Sequence, residues 1–363
     1  MPVTCKAAVA MAINEPLRIV EVTLRDPGPG EVMFRVEATG LCHSDLLVLD
    51  GQAPHVFPLV PGHEAIGHVV QVGRGVTHFA VGDRVMPFLV PDCGICRYCT
   101  SGRTNMCEQF AARRGTPHAP FTLDGQPVAA FLGLGTFAEY AVVRDDMLVK
   151  VDANAPAAET CCIGCGVTTG IGAALICAKV HSGSSVAVFG VGGVGLSVVQ
   201  GARLAGASRI FAIDANVDKE TIARSMGATD FVDSSAIENV STFLMRETGL
   251  GVDYAFECVG SPGLIRQAVE STNPAWGVTV NIGLVPSGRE LTIGGMGLGV
   301  GRRWTASLMG GAKRADVARY VDMYVAGTIN LDGLVSHRLT LDEVNQGFDL
   351  MRNRQSSRAV MCF

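Results

Sequence analysis

The chain has 363 residues, with Lys plus Arg 29 against Asp plus Glu 34 and a formal net charge of −5. Two domains are expected, because a single hydrophobic core stops growing at about 250–300 residues. The basic residues form no runs of the kind that nucleic acid or anionic lipid attracts, so a small-molecule partner is favoured and neither nucleic acid nor a membrane is expected.

The first third of the chain predicts antiparallel β structure. Short Val-rich runs, such as 31–37 and 68–72, alternate with Gly, Pro and Asp. Residues 1–20 contain charges and no long apolar core, so we expect no secretion signal.

A scattered set of potential metal ligands starts in this region. Cys42, His63 with its neighbour Glu64, and Cys165 lie far apart in the chain, so only a folded protein can bring them together. Scattered ligands are typical of an open, catalytic zinc site. The alternative is a handful of unrelated residues, because free cysteine is commonly a small buried hydrophobe.

A compact cysteine cluster, Cys93, Cys96, Cys99 and Cys107, follows. Its close spacing predicts a structural zinc site. The alternative is two disulfides, which would require an oxidising compartment. Thiolate ligands must stay reduced, so we expect a cytoplasmic protein. The other cysteines are expected to be buried packing residues: Cys5, Cys161, Cys162, Cys177, Cys258 and Cys362.

Two uncharged stretches, 160–178 and 182–202, are long enough to raise the question of a membrane span. Both are rich in Gly, Ser and Thr, which favours instead a parallel strand and helix buried on both sides. From about residue 167 the pattern is that of repeated βαβ units, with strands predicted at 185–189, 209–213 and 278–282. This pattern indicates a doubly wound parallel sheet.

The C-terminal part reads as a helix over 314–326 and a short strand over 358–363. This piece is too small for its own core, so we expect it to return to the first domain. The predicted organisation is therefore an α/β protein with the first part of one domain at 1–166, a doubly wound domain at 167–307 and the second part of the first domain at 308–363.

A glycine-rich turn follows the strand predicted at 185–189 and precedes an apolar helix. That context is the one a dinucleotide fingerprint requires: its glycines permit a tight turn, a close approach of the pyrophosphate, and close packing of helix and strand. The alternative is a flexible loop. The residues of the turn are Gly190, Gly192, Gly193, Val194 and Gly195.

Asp214 stands nineteen residues after Gly195, at the end of the next strand. A carboxylate there can accept hydrogen bonds from the adenosine ribose and repels a 2′-phosphate, which favours NAD over NADP. The alternative is a turn residue that closes a strand. Lys219 is a further candidate beside the ribose, or else a solvated lysine at a helix start.

The whole chain resembles the zinc-containing alcohol dehydrogenases of the medium-chain dehydrogenase/reductase family. The resemblance is carried by Gly62-His-Glu-Ala-Ile-Gly67, Gly40-Leu-Cys-His-Ser-Asp45, the four-cysteine lobe, Gly164-Cys-Gly166 and the turn at Gly190. It implies a GroES-like catalytic domain beside a Rossmann coenzyme domain, two zinc ions per chain, and NAD.

The resemblance also implies roles for single residues. Cys42, His63 and Cys165 match the catalytic zinc ligands, with Glu64 behind the metal and Asp45 orienting the histidine. Ser44 matches the hydroxyl that receives the alcohol proton, but Leu47 stands where many relatives have the histidine that ends this relay, and His43 or water is left to substitute. The remaining matches are His43 and Arg358 at the pyrophosphate, Thr169 near the nicotinamide, and Leu89, Met106 and Leu284 near the substrate channel.

The implied reaction is reversible hydride transfer between NAD and a primary, hydrophobic alcohol, with aromatic and terpenoid alcohols as candidates, which gives the aldehyde. The long segment 107–137 favours a homodimer, because among relatives a long connection here accompanies dimers. Some relatives oxidise formaldehyde adducts of glutathione and grip them with carboxylates just before the Gly-His-Glu motif. Residues 52–56 contain none, although Arg113 and Arg114 could meet an anionic thiol, so this alternative stays open. A non-catalytic zinc- and nucleotide-binding protein is the second alternative.

Overall fold

The computed structural model describes residues 2–114, 118–295, 301–353 and 355–363, without the side chains of residues 111, 113 and 114. The chain divides into two compact units, Met1–Cys165 with Lys313–Phe363, and Gly166–Ala312. The sequence places these boundaries after residues 166 and 307. The first unit is therefore discontinuous in sequence, and the second is inserted into it.

The strands are numbered in chain order. They are β1 Val3–Val9, β2 Arg18–Leu24, β3 Glu31–Gly40, β4 Leu59–Val60, β5 Glu64–Val72, β6 Arg84–Pro87, β7 Phe121–Leu123, β8 Gln126–Ala130, β9 Tyr140–Arg144, β10 Leu148–Lys150, β11 Ser185–Phe189, β12 Arg209–Asp214, β13 Asp230–Asp233, β14 Tyr254–Glu257, β15 Val278–Asn281, β16 Arg303–Ala306, β17 His337–Leu339 and β18 Ala359–Cys362.

The helices are numbered in the same way. The α-helices are α1 His43–Leu49, α2 Arg97–Thr100, α3 Glu108–Arg114, α4 Ala157–Thr160, α5 Gly166–Gly172, α6 Gly193–Leu204, α7 Glu220–Met226, α8 Val240–Thr248, α9 Pro262–Glu270, α10 Arg314–Val325 and α11 Val344–Arg352. Short 3₁₀ turns and one π-helical segment, Ala173–Ala178, connect them.

The first unit is built from two mainly antiparallel sheets. One has the order β1-β2-β7-β8-β4, and the other has the order β10-β6-β5-β3-β18-β17 with β9 also paired to β3. Apolar side chains from both sheets form a common core, which includes Phe121, Phe137 and Phe348. The C-terminal strand β18 pairs antiparallel with β3, with Val360 opposite Gly40, as expected for a piece too small to fold alone.

The second unit contains a parallel sheet of order β13-β12-β11-β14-β15-β16. The middle residues of its inner strands β11, β12 and β14 are apolar, because helices cover both faces of such a sheet, and the charged residues stand at the strand ends. Phe189, Phe211 and Ile213 pack with Leu244 in one layer of this core. From β11 the strands follow outward through β12 to β13, and from β14 they follow in the opposite direction through β15 to β16. β11 and β14 therefore meet at the switch point, where doubly wound sheets bind ligands.

Two sequence-based expectations need correction. The stretch 160–178 contains no strand: it consists of the end of α4, a 3₁₀ turn, α5 and the π-helical segment. A continuous apolar run does not distinguish a buried helix from a buried strand. Cys362, the last residue of β18, is exposed rather than buried, and Cys177 and Cys258 are only partly buried.

The described residues contain no single helix that is long and apolar enough to cross a membrane. One bent pair, Ala157–Gly164 with Gly166–Ala178, meets the length and composition criteria when taken together.

Candidate active site

Cys42 and His63 come together because two neighbouring strands end side by side. Strand β3 pairs with β5 so that Gly40 lies opposite Glu64. Cys42 follows the end of β3 by two residues, and His63 immediately precedes β5. The two side chains therefore leave the sheet at the same edge, and this register follows from the antiparallel pairing alone.

Asp45 fixes both of these ligands. Cys42 is the N-cap of α1, and Asp45 is the third residue of that helix. The amide of Cys42 donates to Asp45 Oδ2 at 3.1 Å, which is the contact that a capping box makes. Asp45 Oδ1 accepts a hydrogen bond from the amide of Gly62 at 3.0 Å and lies 3.3 Å from Nδ1 of His63. With its Nδ1 proton held by Asp45, the imidazole presents the Nε2 lone pair, which is the form that binds a metal.

Cys165 reaches the same place from a 3₁₀ turn, Cys161–Gly164. That turn lies against the sheet, since a Cβ on Gly164 would meet the carbonyl oxygen of Pro87 at 3.2 Å. One ligand atom from each of Cys42, His63, Glu64 and Cys165 lies within 4.8 Å of the others. Two sulfurs, one imidazole and a nearby carboxylate are donors that suit zinc, and the sequence-predicted set is thus assembled.

The acid–base properties of this cluster fit a metal site. The hydrogen bond with Cys165 lowers the pKa of Cys42, and the same shared proton raises the pKa of Cys165. Burial alone would lower the pKa of His63, but Asp45 and Cys42 outweigh it and raise that pKa. The buried thiols and imidazole share protons closely. A metal cation can take the place of these protons.

Glu64 is held by Arg358. Nη1 of Arg358 donates to Glu64 Oε1 at 3.1 Å and to the carbonyl oxygen of Leu41 at 3.1 Å. Burial raises the pKa of Glu64, and the guanidinium opposes that rise. Both side chains are buried, and among the described residues neither Glu64 Oε2 nor Arg358 Nε has a hydrogen-bond partner. The resemblance places Arg358 at the pyrophosphate; the structure adds its ion pair with Glu64.

The candidate proton relay starts at Ser44. Its Oγ lies 3.3 Å from Nε2 of His63, within the cluster. His43, the first residue of α1, is exposed, and Leu47 is buried on the same helix. The structure therefore places a hydroxyl at the ligand histidine and an imidazole at the surface, with no ionisable group at Leu47.

The second cysteine cluster is also assembled. Ligand atoms of Cys93, Cys96, Cys99 and Cys107 lie within 4.8 Å of one another. Cys96 caps α2, so its sulfur accepts from the amide of Cys99 at 3.5 Å, and the amide of Cys96 donates to the sulfur of Cys93 at 3.4 Å. Amide donors of this kind stabilise thiolates, and the four sulfurs fit a closed tetrahedral zinc site.

The disulfide alternative for this cluster is wrong. All twelve cysteines are free, and the sulfurs of Cys93 and Cys99 are 3.9 Å apart, whereas a disulfide bond is about 2.05 Å long. The amide of Glu108 lowers the pKa of Cys96 to about 6, while burial raises the pKa of Cys99 and of Cys107.

In the second unit, the glycine-rich turn joins β11 to α6. Gly190 has φ +85°, a backbone conformation that L side chains rarely adopt, and a Cβ on Gly195 would lie 1.9 Å from the carbonyl oxygen of Gly190. A Cβ on Gly192 would meet nothing within 4 Å in the part of the chain that the structure describes, so this side of the turn is open there. The amides at the start of α6, from Gly193 and Val194 onward, can therefore receive a pyrophosphate.

Asp214 ends β12 beside this turn. Its Oδ2 accepts from the amide of Val191 at 2.9 Å and from Nζ of Lys219 at 2.9 Å, and its Oδ1 accepts from the amide of Asn216 at 3.0 Å. The carboxylate is thus held at the edge of the turn. Lys219 stands at the start of α7, as its second interpretation has it, but its side chain is mostly buried and pairs with Asp214 directly.

The other predicted residues lie within their own units. Thr169 is buried in α5 of the second unit, where its hydroxyl contacts the sulfur of Met309 at 3.6 Å. Leu89 is buried in the first unit, 7% exposed. Met106 is 49% exposed in the cysteine lobe, and Leu284 is 54% exposed in the second unit.

Sequence analysis missed Phe131. Its ring meets the ring of His63 edge-on, with centroids 5.6 Å apart, and meets His55 on another side at 5.4 Å. The side chain is only 4% exposed. A lone phenylalanine in an apolar segment carries no sequence signal for a site, and only the pairing of distant segments reveals it.

Comparison with known proteins agrees with this geometry. The family model of the alcohol dehydrogenase GroES-like domain matches residues 28–153, and that of the zinc-binding dehydrogenases matches residues 193–326. The S-(hydroxymethyl)glutathione dehydrogenase of Paracoccus denitrificans is 41% identical to this chain over 99% of both sequences. The chain belongs to the zinc-containing alcohol dehydrogenases.

Two further members of this family are similar along the whole chain. The class-3 alcohol dehydrogenase of Myxine glutinosa is 44% identical over 98% of this chain and 97% of its own. The crystal structure of benzyl alcohol dehydrogenase from Acinetobacter calcoaceticus superposes with a TM-score of 0.92 at 29% identity, over 99% of both chains. The fold, the zinc dependence and the use of a nicotinamide cofactor are thereby established.

The arrangement fits the chemistry of an alcohol dehydrogenase. Cys42, His63 and Cys165 would hold a zinc ion, which would supply a Lewis acid that lowers the pKa of an alcohol hydroxyl toward neutrality, and a bound NAD would supply the hydride acceptor. Asp45 keeps the imidazole of His63 in one tautomer and orientation, and the Ser44 hydroxyl offers an acceptor for the departing proton.

Proposed function

We propose that this enzyme oxidises the hydroxymethyl adduct of glutathione with NAD. The adduct R–S–CH₂OH loses a hydride from carbon to NAD and a proton from oxygen, which leaves the thioester R–S–CHO, NADH and one proton. The observation that carries the substrate is the match along 99% of the chain to a relative of that name, together with an assembled zinc donor set.

The residues that we assign to the proton step lie in the first unit. Ser44 accepts the hydroxyl proton, since its Oγ lies beside the ligand imidazole. The proton then leaves through His43 or water, because Leu47 cannot carry it. Cys42, His63 and Cys165 hold the catalytic zinc in this proposal, and Cys93, Cys96, Cys99 and Cys107 hold the structural zinc.

Glutathione also carries two carboxylates, which need partners of positive charge. Segment 52–56 offers no carboxylate and one imidazole, that of His55. Arg113 and Arg114 are the cations that we assign to the tripeptide; their side chains lie outside the described residues. A guanidinium pair is well suited to bind carboxylates in a bidentate manner.

A hydrophobic primary alcohol is the second candidate substrate. The observation in its favour is the Phe131 ring packed edge-on against His63, with buried Leu89 in the same unit. An aromatic side chain beside a metal ligand favours a flat apolar group next to the reacting carbon. Benzyl alcohol, the substrate named for the structural relative from Acinetobacter calcoaceticus, has such a group.

A kinetic comparison decides between the two. We expect kcat/KM for S-(hydroxymethyl)glutathione, formed from glutathione and formaldehyde, to exceed that for benzyl alcohol by at least about tenfold. The double variant Arg113→Ala, Arg114→Ala should raise KM for the adduct and leave benzyl alcohol oxidation unchanged. A higher kcat/KM for benzyl alcohol, with no effect of the double variant, would establish the second candidate instead.

The same assay tests the non-catalytic alternative. A preparation that holds two zinc ions per chain and binds NADH, yet reduces no NAD with either substrate, would show a binding protein rather than an enzyme.

A further inference from the structure

Glu257, the last residue of β14, is a buried carboxylate that the proposed chemistry does not use. It is 0% exposed, and among the described residues no basic side chain pairs with it. Burying a carboxylate without a cation is costly unless hydrogen bonds replace the lost water. Burial raises the pKa of Glu257, and backbone donors oppose that rise.

Those donors are three successive amides of one turn. Oε1 of Glu257 accepts from the amide of Val259 at 3.1 Å, of Gly260 at 2.9 Å and of Ser261 at 3.2 Å, and Oε2 accepts from Gly260 at 3.1 Å. Consecutive amides that converge on one anion form a nest, which fixes the backbone of the turn around the anion. The Glu257 side chain therefore determines the shape of residues 259–261.

This turn lies between two others at the carboxyl edge of the parallel sheet. On one side Val259 packs against the fingerprint, since a Cβ on Gly190 would lie 2.3 Å from Cγ2 of Val259. On the other side Gly260 packs against the turn after β15, since a Cβ on Gly283 would lie 2.0 Å from the amide nitrogen of Gly260. The carbonyl oxygen of Glu257 also accepts from the amide of Gly283 at 3.0 Å.

The edge is the switch point of the sheet, between β11 and β14, where doubly wound folds bind their nucleotide. Apolar side chains remain open to solvent there: Val259 is 47% exposed and Leu284 is 54% exposed. A bound dinucleotide would cover these apolar side chains. How well the dinucleotide fits depends on the positions of the three turns that follow β11, β14 and β15.

We propose that Glu257 is a positioning residue for NAD: through the amide nest it holds the turn of Val259 against the fingerprint turn at Gly190. Glu257 does not touch the cofactor. It acts through Val259 and Gly260, and its removal weakens NAD binding while the zinc site of the other unit stays intact. The inference rests on the use of NAD and not on the proposed substrate.

The test uses the zinc-loaded full chain with Glu257→Gln. Glutamine keeps the size of the side chain but turns an NH₂ group toward amides that already donate, so the turn loses at least one hydrogen bond. We expect the Kd for NADH, measured by fluorescence titration, and the KM for NAD to rise about tenfold. The kcat at saturating NAD and the zinc content should stay within about twofold of the wild-type values.

Tyr254→Phe is the matched control, because Tyr254 begins the same strand and its hydroxyl donates to the carbonyl oxygen of Lys179 at 3.3 Å. It should lower Tm without a change in the Kd for NADH. If Glu257→Gln leaves the Kd unchanged, or if Tyr254→Phe raises it equally, the proposal is wrong.

A second variant keeps the test decisive if Glu257→Gln does not fold. Val259→Ala removes the methyl groups, of which Cγ2 faces Gly190, from a half-exposed side chain and keeps the backbone amide, so we expect a raised Kd for NADH with little change in Tm. An unchanged Kd in that variant would overturn the proposed route from Glu257 to the cofactor.

Discussion

Asp45 and His63 form the contact on which the candidate zinc site depends. Oδ1 of the carboxylate lies 3.3 Å from Nδ1 of the imidazole, and both side chains are almost fully buried. The other carboxylate oxygen accepts from the amide of Cys42 at 3.1 Å. One side chain thus orients two of the three ligands, which lie on different elements of the chain.

Replacement of Asp45 by asparagine should loosen the catalytic zinc. The amide group cannot satisfy the Cys42 amide and hold the His63 tautomer together, and loss of such a partner lowers metal affinity by about 10- to 100-fold. Mass spectrometry after dialysis against a chelator should find two zinc ions per wild-type chain and one per Asp45→Asn chain. Asp50→Asn, at the C-cap of the same helix but paired with Arg352, is the control and should retain both ions. Two ions retained in Asp45→Asn would contradict the role of Asp45.

Replacement of Ser44 by alanine should slow turnover. Without the hydroxyl beside His63 the departing proton has no positioned acceptor, and kcat should fall by about 10²- to 10³-fold. Ser44→Thr keeps a hydroxyl and should retain most of the rate. His43→Ala should change mainly the KM for NAD, because the resemblance places His43 at the pyrophosphate and water can replace this exposed imidazole in the proton path. Equal, mild effects of Ser44→Ala and His43→Ala in steady-state assays would end this assignment.

Asp214 should set the preference for NAD. Its carboxylate repels a 2′-phosphate by about 1–4 kcal/mol at contact distance, so Asp214→Ser should lower the ratio of kcat/KM for NAD to that for NADP by at least about tenfold. The exposed neighbour Asp218 has no such contact with the turn at Val191, and Asp218→Asn should leave the ratio unchanged. An unchanged ratio in Asp214→Ser would remove this residue from cofactor selection.

The buried carboxylate of Glu31 should make stability depend on pH. Burial alone would raise the pKa of Glu31, but hydrogen bonds from Arg25 and the Gly28 amide outweigh it and lower that pKa. A lowered folded pKa means that the stabilisation is present above the unfolded pKa of about 4.3 and is lost as pH falls through the folded value.

Urea unfolding checks this sign. Glu31→Gln should lower the free energy of unfolding by about 1–2 kcal/mol at pH 7, since Arg25 is partly exposed and the pair is screened. The difference from wild type should shrink below pH 4.3. Glu21→Gln, at an exposed position of β2, should show no such difference at any pH. A deficit that persists undiminished in acid would refute the assignment.

The spacing of residues along the sequence predicted a site correctly where all the residues of that site lie in one short segment. The lobe cysteines from Cys93 to Cys107 lie within one short segment, so their spacing alone brings the sulfurs together. The glycines from Gly190 to Gly195 stand between a strand and a helix, and the close approach of Gly195 to Gly190 is a contact over five residues.

The apolar stretch 160–178 shows where such reasoning fails. Its composition fits a buried strand as well as a helix, because neither has a polar face. Packing determines that this stretch forms helix α5. A Cβ on Gly170 would lie 2.4 Å from the carbonyl oxygen of Val194. Glycines weaken an isolated helix, but here they let α5 approach α6 closely.

By itself the sequence determined the two-part α/β organisation, the zinc lobe, the nucleotide turn and, by family resemblance, the identity of the scattered ligands. Only the tertiary structure decided that Phe131 packs on His63, that Arg358 pairs with Glu64, and that the Glu257 carboxylate gathers the amides of its own turn at the switch point. The physical reason is the distance along the chain between the residues that are in contact. Contacts between neighbours follow from backbone geometry, whereas the partners of a buried side chain are set by strand register and packing among segments far apart in the chain.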